Sequence, residues 1–144
     1  MNKLDSILEK IEAYSTLMED LCVRLPHHVM VTFNGDGGIP RELTSYERWN
    51  GEYHFCAGSF TGLKAEEITP YLRNIDSMTE NENQEIMAAL TELEKKFGDC
   101  DENPILMCKV LIIVMRFMYK HHFDVCGFIE QGLALEAPKD MYKF

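Results

Sequence analysis

The sequence predicts an α+β fold, and three stretches carry that prediction. Pro104–His122 (PILMCKVLIIVMRFMYKHH) is the most apolar run in the chain and opens with helix-start chemistry. Residues 28–60 are rich in β-branched and aromatic side chains and are broken by Asn50-Gly51, the strongest short hairpin signal. Residues 3–25 and 79–98 place apolar side chains at helical spacing. The expected architecture is a small antiparallel sheet, a three-stranded meander with room for a fourth edge strand. It packs with three main helices, the buried helix at about 104–122 lying at the centre. A chain of 144 residues is expected to form one domain, 1–144.

In chain order, Leu4, Ile7, Ile11, Tyr14, Met18, Leu21 and Leu25 alternate steps of three and four, with Leu8, Leu17 and Cys22 beside them. That stripe predicts a helix over 3–25, stopped by Pro26. It is wider than a coiled-coil seam, so packing on its own domain is expected over a dimer contact. His28–Phe33 (HVMVTF) reads as a strand, Asn34–Gly38 (NGDGG) as a loop, and RELTSYERW and EYHFCAGSF as the two arms of the Asn-Gly hairpin. In the second arm Tyr53, Phe55 and Ala57 should share one face and Glu52, His54 and Cys56 the other. Ile68–Ile75 reads as a short strand that Pro70 keeps at an edge. Thr79 and Glu82 form a capping box for a helix with an Ile86, Leu90, Leu93, Phe97 stripe and Gly98 beyond its end. In the apolar helix, Asn103 is the N-cap and Pro104 the first helical residue. At 1.5 Å per residue that helix spans about 28 Å. Residues 123–132 read as a turn and one or two helical turns, and the remainder as an extended tail.

Net charge is −10, and residues 76–102 hold nine acids against two bases. With no basic stripe legible along the chain, duplex nucleic acid is not an expected partner. Lys109, Arg116 and Lys120 interrupt the apolar helix, so no membrane span is expected. Five cysteines with no CxxC pair read as free thiols in a reducing compartment, and no secretory leader is expected, so the protein is placed in a cytoplasm.

Catalytic and metal chemistry find little support. His121, His122, Asp124 and Cys126, with His54 and Cys56, are the only candidate metal ligands, and their spacing matches no zinc pattern. Asp124 reads better as a cap for the turn that follows. Cys56 beside His54 lacks a third orienting group. Asn34–Gly38 is followed by no Gly-Lys-Ser/Thr, so it is not a phosphate loop. No catalytic residue, metal site or cofactor is therefore assigned. The one binding constellation is Arg41, Tyr46, Arg48 and Trp49 beside the meander, together with Arg73 after Tyr71. Exposed aromatics among arginines anchor a protein partner or stack on a base. The competing expectation is that Trp49, a large aromatic, packs on the sheet.

Two stretches carry a resemblance: Thr69-Pro-Tyr-Leu-Arg73 with Asp76-Ser-Met-Thr-Glu80, and His121-His-Phe-Asp-Val-Cys-Gly-Phe-Ile-Glu-Gln-Gly-Leu-Ala-Leu135. They resemble the PYLRPLSSMT-like and HFDYRGLIEKGLALEAP-like motifs of a family of small proteins encoded by phages, prophages and mobile elements of gut bacteria. The resemblance covers roughly residues 68–142. Asn74-Ile75 and Val125-Cys126 depart from the pattern, and the second departure removes an arginine. What the resemblance implies is a setting, a phage-type accessory protein in a bacterial cytoplasm, and not an activity. The expected function is therefore non-enzymatic binding of a host protein, with counter-defence as its context. The alternatives are a binder that sequesters a nucleotide-like small molecule, and a cryptic enzyme or metal-site protein. Either a monomer or a homodimer is expected.

Overall fold

The computed structural model describes residues 3–12, 17–33, 38–98 and 103–142. Two helices, α1 (Lys3–Glu12) and α2 (Leu17–Arg24), come first, followed by a 3-10 turn over Leu25–His27 that holds Pro26. Strands β1 (Met30–Phe33), β2 (Arg41–Trp49), β3 (Glu52–Ala57), β4 (Phe60–Leu63) and β5 (Ile68–Leu72) precede helices α3 (Glu80–Phe97) and α4 (Pro104–Lys120), and β6 (Leu135–Glu136) comes last. The sheet has six strands in the order β4-β3-β2-β1-β5-β6, antiparallel except for β5–β6. The α+β class holds. Whether α1 and α2 form one helix depends on residues 13–16, which lie outside the described residues, as do Asn34–Gly37 of the glycine loop. Among the described residues no helix is long and apolar enough to cross a membrane.

The differences from expectation have local causes. EYHFCAGSF is two strands, not one: Ala57 pairs with Phe60 across Gly58-Ser59, and Gly58 takes a φ of +63° that suits glycine. Ile68–Leu72 is not an edge strand, because β1 pairs along one side and β6 along the other. Pro70 is tolerated there because β6 pairs only with Tyr71 and Leu72. Residues 123–132 form hydrogen-bonded turns rather than a helix, and part of the expected tail is β6.

One hydrophobic cluster draws Leu4 and Ile7 from α1, Leu21 from α2, Val31, Leu43, Phe55 and Leu72 from the sheet, and Ile86 and Leu90 from α3. α4 adds Leu106, Val110, Val114 and Met118. The described part of the N-terminal stripe thus packs on its own fold. α4, expected to be buried on most sides, is buried along one side only: Ile105 is 73% exposed and Ile112 48%. Phe97 of the α3 stripe is exposed as well. Both expected helix starts are in place, Asn103 accepting from the amides of Ile105 and Leu106, and Thr79 and Glu82 closing the capping box. Thr79→Ala should cost about 1 kcal/mol, read as a lower urea midpoint with an unchanged m-value.

Candidate functional site: an exposed β-strand and a polar cleft

The β2–β3 hairpin carries four of the five residues singled out by sequence. Its tip is the expected two-residue turn, with Asn50 at φ 51° and Gly51 at φ 78°, and Trp49 pairs with Glu52 across it. The ladder continues through Arg48–Tyr53, Glu47–His54, Tyr46–Phe55 and Ser45–Cys56, then shifts register before Leu43–Ala57. That bulge reverses the alternation of faces. Without it, Leu43 would share a face with Ser45 and Glu47. With it, Tyr46 and Arg48 follow Leu43, opposite Phe55 and Tyr53.

One aromatic strip therefore runs from the core outward. Phe55 and Leu43 are buried, Tyr53 is half-buried, and Tyr46 is 46% exposed. The Tyr46 ring lies 5.5 Å from Tyr53 and 6.3 Å from Phe55, and the Arg48 guanidinium sits 5.9 Å from the centre of the Tyr53 ring. Thr44, Ser45, Tyr46, Glu47 and Arg48 are exposed in succession. A strand covered on one face alternates between buried and exposed residues, so this half of β2 is bare on both faces. Arg41 stands at the inner end of the ribbon, 4.6 Å from the centre of the Phe60 ring. Trp49 is placed in the ladder at the outer end, and its side chain lies outside the described residues.

Arg73 belongs elsewhere. It follows β5, on the far side of β1 from the ribbon. Its two Nη groups donate to both Glu82 carboxylate oxygens at 2.8 Å, and further to the Ser77 and His121 carbonyls. Its guanidinium also covers the Phe123 ring at 4.3 Å. These contacts tie β5 to α3 and to the end of α4. Arg73 hydrogen bonds, with Thr79 adding to them, hold the Glu82 carboxyl down at about 2. His121 Nδ1 lies 2.9 Å from Glu82, and burial lowers the affinity of His121 for a proton. The two stretches that carry the family resemblance meet here: Arg73 N–H donates to the His122 carbonyl and Asp124 N–H to the Arg73 carbonyl.

Beside this cluster lies a cleft of about 620 Å³ lined by Glu82, Glu85, His121, Lys139 and Tyr142. Tyr142 separates it from a second groove lined by His27, His122 and Lys120. The Tyr142 hydroxyl donates to the Tyr71 carbonyl at 2.7 Å and accepts from the Met30 N–H at 2.8 Å, and burial pushes its pKa up to about 12. The His122 ring stacks on Tyr142 at 3.9 Å. Burial, reinforced by the nearby Arg24 charge, takes His122 down to about 3.

The histidine-cysteine stretch that invites a metal is spread among separate partners. His121 faces Glu82, His122 faces Tyr142, and Cys126 Sγ lies 3.9 Å from Asp20. Asp124 accepts from the amides of Phe128 and Ile129, the capping role expected of it. Among the described residues no group of three or more His, Cys, Asp or Glu side chains could hold a metal ion. Among the described residues Cys22, Cys56, Cys108 and Cys126 form no disulfide, and Cys100 lies outside them.

Sequence reasoning missed the buried Asp20–Arg24 pair and the Glu82–Arg73 pairing. Asp20 and Arg24 are four apart, and in α2 that spacing is a visible signal of a helical ion pair. Nothing in the sequence joins Arg73 to Glu82. Comparison with protein-family models, curated proteins and solved structures finds no match.

Proposed function

We propose that this chain is a non-enzymatic binding protein that acts by occupying a host protein, in the phage-type setting that the sequence resemblance implies. The observation that carries this reading is the outer half of β2, exposed from Thr44 to Arg48 on both faces, where Tyr46 and Arg48 stand beside the half-buried Tyr53. Aromatic and arginine side chains are the residue types that dominate protein interfaces when a partner buries them. Tyr46 and Arg48 stay exposed on their own fold, so their surface is left for a partner to bury. Host-protein occupation in a bacterial cytoplasm, with counter-defence as its purpose, is part of the same reading.

The test is affinity capture from bacterial lysate with the wild type and with Tyr46→Ala/Arg48→Ala. Both residues are exposed, so the melting midpoint should move little. A partner held by the wild type should bind the variant about 30-fold more weakly, the loss of roughly 2 kcal/mol that defines a hot spot. Equal binding by the two proteins would remove the ribbon from the proposal.

The cleft of about 620 Å³ favours a second reading, a small-molecule binder, since its volume falls within the usual range for ligand pockets. A nucleotide that raised the melting midpoint of the wild type, but not of Lys139→Glu, would favour that reading over the first.

A further inference from the structure

The sheet is open along the inner side of β2. β1 pairs with β2 only at Met30–Glu42 and Val31–Arg41, and Leu43 N–H adds one bond to the Val29 carbonyl at 2.9 Å. β1 begins there because His28 takes a φ of +60° at the end of the 3-10 turn over Leu25–His27. From Thr44 to Trp49, about 17 Å of strand, β2 is paired on its β3 side alone among the described residues. A two-residue hairpin bonds the residues that flank its turn, so Trp49, Glu47 and Ser45 direct their main-chain groups to β3. Those of Tyr46 and Arg48 point to the open edge. The sheet's outer edges are blunted: β4 has four residues with Gly62 at φ +71°, and β6 has two, with Pro138 close behind. Thr44–Trp49 contains no glycine, proline or lysine to protect its edge in that way.

We propose that the outer half of β2 holds its partner by strand addition, an extended segment of the partner protein pairing antiparallel along Tyr46–Arg48. The proposal rests on the host-protein reading of the same strand and names the kind of segment it takes. Main-chain bonds to Tyr46 and Arg48 supply affinity, and side chains opposite them supply choice. Glu47 and Arg48 are the only charges of Thr44–Trp49 and lie on opposite faces. Glu52, on the Glu47 face, already meets His54 and Lys64. The matching segment therefore reads acid, base, apolar, opposite Arg48, Glu47 and Tyr46 in turn. A second copy does not match. Pairing Tyr46 with Tyr46 sets Arg48 against Thr44, Tyr46 with Arg48 sets Glu47 against Glu47, and Arg48 with Arg48 opposes two cations.

Isothermal titration of the whole protein tests this with a ten-residue, threonine-rich peptide carrying a central Glu-Lys-Val. The peptide should bind at concentrations up to about 1 mM, and exchanging its Glu and Lys should weaken binding about tenfold. N-methylation reads the edge itself. Methylating the Glu or the Val amide, each aimed at β2, should weaken binding about tenfold, and methylating the Lys amide, aimed away, should change it little. Arg48→Pro should bind about tenfold more weakly than Arg48→Ala, because both lack the guanidinium and only proline lacks the N–H. Circular dichroism verifies that both variants fold, and the methylated peptides need no variant. A peptide that fails to bind, or that tolerates all three methylations alike, would overturn strand addition. The host-protein reading fails separately, on equal capture by the wild type and Tyr46→Ala/Arg48→Ala.

Discussion

Arg24→Met should destabilise the protein by about 3–5 kcal/mol, a large part of the 5–15 kcal/mol typical of a domain. Arg24 is fully buried, and its guanidinium donates to the Asp20 carboxylate and the Phe123 carbonyl while lying over the Tyr119 ring at 4.7 Å. Asp20 is 1% exposed, and burial already pushes its pKa up against the opposing pull of Arg24. Removing the cation leaves a carboxyl with its desolvation cost and no compensating charge. The double variant Asp20→Leu/Arg24→Met removes both charges and should recover most of the loss. Urea unfolding of the two variants measures this. A single variant within about 1 kcal/mol of the wild type would show that the pair is not an energetic unit.

Acid should destabilise the protein well above the carboxylate range. His122 titrates at about 3 in the folded chain and at its ordinary 6.5 when unfolded. Between those values the unfolded state binds the extra proton, so stability falls as pH falls. The contribution is fully present above pH 6.5 and is lost progressively on the way to pH 3. From pH 7 to pH 4.5 the loss from this residue is about 3 kcal/mol, at 1.36 kcal/mol per unit. Glu82, held at about 2 against 4.5 unfolded, has the same sign and extends the decline below pH 4.5. Urea unfolding at the two pH values should show this drop, and His122→Phe should remove most of it. A wild type equally stable at both would contradict a neutral, buried His122.

The parts of the fold legible in sequence are those encoded by neighbours along the chain. Asn50-Gly51 needs only its own φ angles, Thr79 and Glu82 are three residues apart, and Asn103-Pro104 is a local start signal. The position of β5 is not legible, because Pro70 suggests an edge while the strand that covers β5, β6, arrives more than 60 residues later. In sequence α4 reads as buried on most sides, because composition cannot show which neighbours a helix lacks. Ile105 and Ile112 are as apolar as Val110 and Val114, and only the tertiary packing separates them.

The candidate site was legible in the same uneven way. Arg41, Tyr46, Arg48 and Trp49 were grouped by proximity in sequence, and the hairpin brings them onto one ribbon. The face on which Tyr46 and Arg48 lie was not legible, because a single extra residue at the bulge reverses the alternation. Arg73 joins that group in sequence only as an arginine near an aromatic, Tyr71. Its bidentate Glu82 lies nine positions on, and its remaining donors reach carbonyls that no sequence pattern announces.

Side-chain footprinting tests the central claim most directly. The wild-type protein, free and loaded with the captured partner, is exposed to hydroxyl radicals, and oxidation is read at each tyrosine. The ribbon account predicts that Tyr46 is strongly oxidised when free and protected on loading, with Tyr142, beside the cleft, unchanged. Protection of Tyr142 with Tyr46 still reactive would place the partner at the cleft and contradict the account.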